Sequence, residues 1–299
     1  MKVVLTLIFC ILDLKSVFGW SAHAHRLIAN IAAQSLREQT RYDMYKILGI
    51  KKDKHRTLET WLMDVSDWAD KQFNESPAYH YVHTTPTCEP YKADRDCGDD
   101  PATGVCIASA ISNHIRIMLD ETSDTYTLIA SLKYLVHYMG DVHQPLHVGF
   151  RGDSGGNSFK AIFDSLLPIS LHKIWDDNLL WHKVQRLRLR TPYDMMHLFE
   201  ATEPSVADSI SRPIRGVDLY NATDVDLMVA SLISETSREI TCKIYTEMET
   251  PSRLIYSGRR LSDNYRNRGG DLVYLQVKKA GFRLGALLNS IFSHRNTFR

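Results

Sequence analysis

Apolar residues recur on a helical period along most of the chain. From His25 to Leu36 an Ala/Ile/Leu-rich stretch predicts one helix. From Thr125 to Gly140 the positions Leu128, Ile129, Leu132, Leu135, Val136 and Met139 predict an amphipathic helix. The habit returns from Leu272 to Phe292, with Leu275, Val277, Phe282, Leu284, Leu287, Leu288 and Ile291. Between these runs, Thr84 to Gly104 is polar and carries Pro86, Pro90, Gly98, Pro101 and Gly104, which predicts a loop. Arg151 to Asn157 predicts a second, turn-rich loop, and Ser158 to Asp164 a short β-hairpin. No Pro/Ser linker divides the chain and no internal repeat organises it, so the pattern implies a single, mainly α-helical domain.

The first residues follow a different pattern. Lys2 precedes an apolar run of about ten residues, too short to span a bilayer as a helix. Val17 and Gly19 then place small residues before a cleavage point that leaves Trp20 at the mature N-terminus. Residues 1–19 are therefore expected to be a signal peptide and residues 20–299 the functional domain. Cys10 leaves with the signal, so Cys88, Cys97, Cys106 and Cys242 remain, an even number suited to two disulfides in an oxidising compartment. Three connectivities are open, with Cys97–Cys106 the natural short loop. A zinc–thiolate site is the competing idea, but there is no Cys-x-x-Cys. Asn74-Glu-Ser and Asn221-Ala-Thr are glycosylation sequons. No later apolar run reaches membrane-spanning length. These features imply a secreted or endomembrane-lumenal protein, without a stable membrane anchor and monomeric.

Composition is that of an ordinary globular protein, with 44% hydrophobic and 24% charged residues in 299 positions. Lys and Arg total 36 against 35 Asp and Glu, so bulk charge advertises no acidic partner. The histidines carry the chemistry. His137-Tyr-Met-Gly-Asp141 and His172-Lys-Ile-Trp-Asp176 repeat one spacing, which on a helix sets imidazole and carboxylate on one face. Such N/O donors suit zinc. A single pair of this kind is ordinarily a surface ion pair, but His147 follows Asp141 by six positions. Upstream, Trp68-Ala-Asp70 ends a helix and Tyr79-His80-Tyr-Val-His83 reads as a β-prone run. His25 lies five residues after the cleavage point, where a free Trp20 amine could join it. Trp20, His25, Asp70, His80, His137, Asp141, His147, His172 and Asp176 suffice for three zinc ions if one carboxylate bridges.

Read in order, Trp20-Ser-Ala-His-Ala-His25, Trp68-Ala-Asp70, His80, the segment from Leu135 to Phe150, Gly155-Gly-Asn157 and Leu171-His172-Lys-Ile-Trp-Asp176 closely resemble the class I zinc nucleases. These are single-strand nucleases and 3′-nucleotidases of the mung-bean type, and the block from His137 to Asn157 is most similar to plant members. The resemblance runs from Trp20 to Asn289. The bacterial zinc phospholipases C share the fold. The resemblance implies a mainly α single domain with a short β-hairpin and a disulfide-tied loop. It implies a first zinc on Asp70, His80, His137 and Asp141, a second on His147, His172 and Asp176, and a third on the Trp20 amine and carbonyl, His25 and Asp141. It also implies disulfides Cys97–Cys106 and Cys88–Cys242.

The implied activity is hydrolysis of single-stranded DNA and RNA to 5′-nucleotides, with 3′-nucleotidase action, by a zinc-held hydroxide that Asp70 orients. Tyr81 and Asn157 match the family's base pocket, whereas His83 stands where an acidic residue is usual. Family members place an arginine three residues after the Trp-Ala-Asp aspartate. Here that position is Phe73, leaving Lys71 as the nearby cation. His143 lies off the face of His137 and reads either as a support for the ligands or as structural. A lipid phosphodiesterase and a catalytically weak zinc-binding protein are the alternative functions.

Overall fold

The computed structural model describes residues 20–50, 57–72, 77–98, 104–164, 166–247 and 250–296. Residues 1–19, His55, Phe73 and Asn74 lie outside these. The described chain is mainly helical: α1 (Ala22–Gln34), α2 (Glu38–Leu48), α3 (Leu58–Val65), α4 (Ala93–Asp96), α5 (Ile107–Leu119) and α6 (Thr125–Asp141). They are followed by α7 (Leu171–Lys173), α8 (Leu179–Arg186), α9 (Met196–Glu200), α10 (Pro204–Ser211), α11 (Ala222–Thr236), α12 (Cys242–Ile244) and α13 (Asp263–Asn296). No helix of the described residues is long and apolar enough to cross a membrane.

Local chemistry sets the ends of these helices. Asp124 accepts from the Thr127 amide at 2.9 Å and starts α6. The hydroxyls of Thr57 and Ser170 do the same for α3 and α7, while the Asn221 side chain accepts from Thr223 to start α11. Gly49, at φ 61°, ends α2 in the left-handed conformation that glycine adopts without a Cβ penalty.

The three helices read from periodicity are present and longer than their patterns. The last gains the most, because the charged segment Asp263-Asn-Tyr-Arg-Asn-Arg268 continues the helix while burying only Tyr265 among its apolar residues. α13 buries Val273, Val277, Ala280, Leu284, Leu287, Leu288 and Ile291. It packs along α1 and α8, and α6 lies beside α1 and α5. Two glycines let α1 approach α13 closely. A Cβ at Gly281 would meet Ile31 Cβ at 2.5 Å, and one at Gly285 would meet Ser35 Cβ at 2.8 Å. Truncating a side chain as buried as Leu287 to alanine costs about 2–5 kcal/mol.

The loop from Thr84 carries the single turn α4 and is tied twice, by Cys97–Cys106 and by Cys88–Cys242. The hairpin after Asn157 forms differently from its expectation. β1 (Lys160–Ala161) pairs antiparallel with β2 (Ile169–Ser170), so the turn spans the whole segment between them instead of closing by Asp164. A second hairpin, β3 (Thr246–Glu247) with β4 (Thr250–Leu254), carries no alternation of apolar residues that would have marked it.

Candidate metal centre

Three helical segments, two short 3-10 turns and the turn after α6 that carries His147 deliver the donor groups to one buried place. His137 and Asp141 lie one turn apart near the end of α6, and His25 approaches from α1. The approach requires Gly140, where a Cβ would stand 2.8 Å from His25 Nδ1. Asp70 sits on the 3-10 turn Ala69–Lys71 and His80 ends the 3-10 turn Pro77–His80. Only after His80 does the β-prone run become extended, with Val82 N–H donating to His147 O and Thr84 N–H to Gly149 O, both at 2.8 Å. His172 lies on α7, which passes into a π-helical turn, Ile174–Asn178, bearing Asp176. π-helical turns are rare and concentrate at functional sites.

Ring orientation is fixed by backbone carbonyls. Nδ1–H of His137 donates to Ser66 O at 2.8 Å, that of His147 to His80 O at 2.6 Å, and that of His172 to Gly155 O at 2.6 Å. In each neutral ring this leaves Nε2 as a bare lone pair. His137 Nε2 lies 3.0 Å from Asp141 Oδ2, 3.3 Å from Asp70 Oδ1 and 3.0 Å from His80 Nδ1. His80 Nδ1 is itself 3.0 Å from Asp141 Oδ2. The other Asp141 oxygen, Oδ1, lies 3.2 Å from His25 Nε2, so this carboxylate faces two ways. Further along, His147 Nε2 and His172 Nε2 are 3.2 Å apart, with Asp176 Oδ2 3.5 Å from the latter.

These contacts leave the charge balance unresolved by protein alone. Oδ1 of Asp70, Oδ1 of Asp141 and both ring nitrogens of His25 are buried without a hydrogen-bond partner. Buried lone pairs in this condition are costly, and a cation is the group that satisfies them. Three groupings have donor atoms close enough to share an ion: His25, His137 and Asp141; Asp70, His80 and His137; and His147, His172 and Asp176. Their imidazole and carboxylate donors fit zinc, and the three clusters are consistent with three zinc ions per chain.

Burial raises the Asp141 and Asp70 carboxyls, but the surrounding histidines, His137 foremost, together hold both below the usual carboxylate range. Burial likewise disfavours charge on His137, yet Asp141 and Asp70 reverse this and raise it well above an ordinary histidine. Burial holds His25 and His147 low, and pushes Asp176 well above the usual range, opposed by the Gln144 hydrogen bond. The side chains of His25, His137, His147 and Asp141 are fully buried, whereas His80, Asp70, His172 and Asp176 retain 7, 8, 7 and 11% exposure. The cluster therefore opens toward solvent on the Asp70–His172 side.

Trp20 lies against the same cluster. Its Nε1–H donates to Gly140 O at 2.9 Å, and the next amide, Ser21 N–H, donates to Asp176 O at 3.1 Å. Tyr81 and His83 are half-buried, with ring centroids 4.8 Å apart. Asn157 is half-buried and donates to Ser154 O at 3.0 Å. Gly155, at φ 59°, presses on the turn before His147, where a Cβ would meet Leu146 O at 2.4 Å. Lys71 turns to Asp67, with Nζ 2.8 Å from its carboxylate and the side chain 64% exposed. Asn221 is exposed.

Sequence reasoning missed Gln144. Its amide donates to Asp176 Oδ1 at 2.5 Å and its carbonyl accepts from Leu146 N–H at 2.5 Å. The available signal was an uncharged polar residue between His143 and Pro145, inside a segment dense in ligands. The Ser66 carbonyl had no signal, because any residue supplies one.

The S1/P1 Nuclease family model matches residues 20–293. Endonuclease 2 of Arabidopsis thaliana is 26% identical over 303 residues, covering 93% of this chain and 92% of its own length. Endonuclease 4 of the same plant is 28% identical over 290 residues, covering 92% and 90%. Nuclease S1 of Aspergillus oryzae is 28% identical over 289 residues, covering 92% and 93%. With the match extending from the buried Trp20 through every cluster of the metal centre, the chain belongs to the S1/P1 nuclease family.

Proposed function

We propose that this protein is a zinc phosphodiesterase of the mung-bean type, cleaving single-stranded DNA and RNA to 5′-nucleotides and removing 3′-phosphates from mononucleotides. The observation that carries this reading is the set of buried donors without protein partners, the orphaned carboxylate oxygens of Asp70 and Asp141 and both ring nitrogens of His25, together with the facing Nε2 atoms of His147 and His172. The names of its relatives, endonucleases and nucleases, support the reaction class.

Asp70, His80, His137 and Asp141 would hold one zinc, His147, His172 and Asp176 a second, and His25, Asp141 and the Trp20 backbone a third. Bound zinc supplies water acidified to a pKa of about 7 and spreads the phosphoryl charge. Asp70 would orient the attacking water by accepting a hydrogen bond at its carboxylate. Its partial exposure supports this role, since phosphate must enter from that side. Tyr81 offers a ring face for base stacking beside His80, and the Asn157 amide reads the base edge. His83 extends the stacking surface where family members place an acid. Lys71, bound to Asp67, is a weak substitute for the arginine that position 73 lacks.

The role of Trp20 requires removal of residues 1–19, because an amide nitrogen is a poor ligand and a free amine a good one. The reading therefore includes export to the cell exterior or endomembrane lumen, with glycan acceptors at Asn74 and Asn221, as a monomer. The deciding experiment measures acid-soluble nucleotides released from heat-denatured DNA by the mature protein, with and without chelator. Release that chelator abolishes, with 5′-phosphate termini, is the expected outcome. No release from a protein loaded with three zincs defeats the nuclease reading, and phosphodiester cleavage confined to phospholipid favours a lipid hydrolase.

A further inference from the structure

Two features of the sequence stay outside the metal centre, His143 and the Ala280–Asn289 stretch of the last helix. The structure joins them. Arg283 on α13 is 3% exposed, and each of its three nitrogens has a partner. Its Nε–H donates to Ile210 O at 3.0 Å, Nη2–H to Glu235 Oε2 at 2.6 Å, and Nη1–H to His143 Nε2 at 3.0 Å. Lys279 shares Glu235, at 2.5 Å from its other oxygen. Because Arg283 can only donate, His143 Nε2 must accept, and the ring proton must sit on Nδ1. That Nδ1–H donates to Met139 O at 2.8 Å.

Met139 O belongs to the last turn of α6, where helical carbonyls run out of amide partners. The next carbonyl, Gly140 O, is capped by the Trp20 indole. The residue after that is Asp141, which faces two clusters. Gln276, two turns before Arg283 on α13, holds the following turn by donating to His143 O at 2.8 Å. One residue further on is Gln144, which holds Asp176.

We infer that Arg283 is a positioning residue for the metal centre, acting through His143 to fix the end of α6 that presents Asp141 and Gln144. It touches no ligand. It sets the tautomer of His143, and His143 sets the carbonyl turn from which Asp141 projects. The guanidinium is needed for this, because it reaches Ile210, Glu235 and His143 at once, which a lysine cannot. Glu235 in turn neutralises a charge that would otherwise stand unpaired in the core. The inference rests on the zinc reading of the clusters and not on the nature of the substrate.

The test reads metal content, not turnover. Zinc per chain is measured across a chelator series for the wild type, Arg283→Met, Asn289→Ala and the double variant Arg283→Met/His143→Leu, with the melting temperature of each zinc-free protein. Asn289 lies on the same helix and tethers α1 by donating to Ser35 O and accepting from Arg37 N–H, so it reports general destabilisation. Arg283→Met is expected to release zinc at about 10- to 100-fold lower chelator concentration than wild type, the range typical of lost outer-shell support. Asn289→Ala is expected to lower the melting temperature while keeping wild-type zinc retention. The double variant should match Arg283→Met, because both changes break one chain of contacts. Equal zinc retention in Arg283→Met and Asn289→Ala overturns the inference, as does a double variant with additive losses. If Arg283→Met does not fold, Arg283→Lys takes its place under the same criteria. A wild type that binds no zinc overturns the zinc reading itself, a separate result.

Discussion

Gln144 and Asp176 meet at 2.5 Å, amide nitrogen to carboxylate oxygen, across 32 positions of sequence. This contact opposes the burial that pushes the Asp176 carboxyl well above its usual range. Gln144→Ala removes a hydrogen bond that favours that charge, so the carboxyl competes less well against protons for a metal. We expect one of three zincs to bind about 10- to 100-fold more weakly, with the deficit growing as pH falls. Calorimetric zinc titration at two pH values checks this, and unchanged affinity at the His147–His172–Asp176 site shows that Gln144 serves only packing.

Asp141 should matter more than any other ligand. Its two oxygens face His25 on one side and His80 and His137 on the other. Elemental analysis of the purified protein should find about three zincs, of which Asp141→Asn loses more than one and Asp176→Asn loses one. Equal losses in the two variants mean that Asp141 does not serve two ions.

Removing residues 1–19 and then adding back a single residue before Trp20 tests the amine. The indole bond to Gly140 and the Ser21 bond to Asp176 do not depend on a free terminus, so the fold should survive the addition. One zinc and most nuclease activity should be lost. An extended protein with full zinc content and full activity removes Trp20 from the ligand set.

How much was legible in the sequence follows from where each interaction is recorded. The pairs His137/Asp141 and His172/Asp176 could be read because a helix converts a four-residue step into one face, and the structure keeps both even where a π turn replaces α geometry. The ligands contributed singly, His25, Asp70 and His80, had no spacing to betray them; residue type made them candidates, and only the family resemblance assigned each to a particular ion. The same holds for Cys88–Cys242, whose partners lie 154 positions apart. The residues that orient the ligands were harder still. Ser66 and Gly155 act through backbone carbonyls, and a carbonyl has no sequence signature. Arg283 and Glu235 lie 48 positions apart on separate helices with no motif to join them, and only the packing of α13 beside α6 and α11 brings them together.

Tyr81 should affect binding more than turnover. It follows a cluster residue directly, and its half-buried ring pairs with that of His83. Base stacking on an aromatic ring is worth about 1–3 kcal/mol. Tyr81→Ala should raise KM for single-stranded DNA roughly 5- to 150-fold with little change in kcat. A fall in kcat at constant KM instead places Tyr81 among groups that support the metal ligands.

Acid stability carries a signature of a histidine outside the clusters. His114 stacks on Tyr134 with centroids 4.6 Å apart, and burial lowers its pKa to about 4. Its folded pKa is thus below the value near 6.5 that it regains on unfolding. Above pH 6.5 neither state binds the proton and His114 imposes no pH dependence. As pH falls from 6.5 toward 4, the unfolded chain takes up a proton that the folded one refuses, and stability declines. The full loss from this group is on the order of 3 kcal/mol and is complete below pH 4. His114→Phe keeps the ring stack and removes the titration, at the cost of the 3.2 Å contact with Ser131. Urea denaturation of both proteins in chelator, from pH 7 to pH 4, should therefore show a shallower acid decline for the variant than for wild type. Parallel declines mean that His114 is protonated in the folded state at the same pH as in the unfolded chain, and that its burial does not tax the charge.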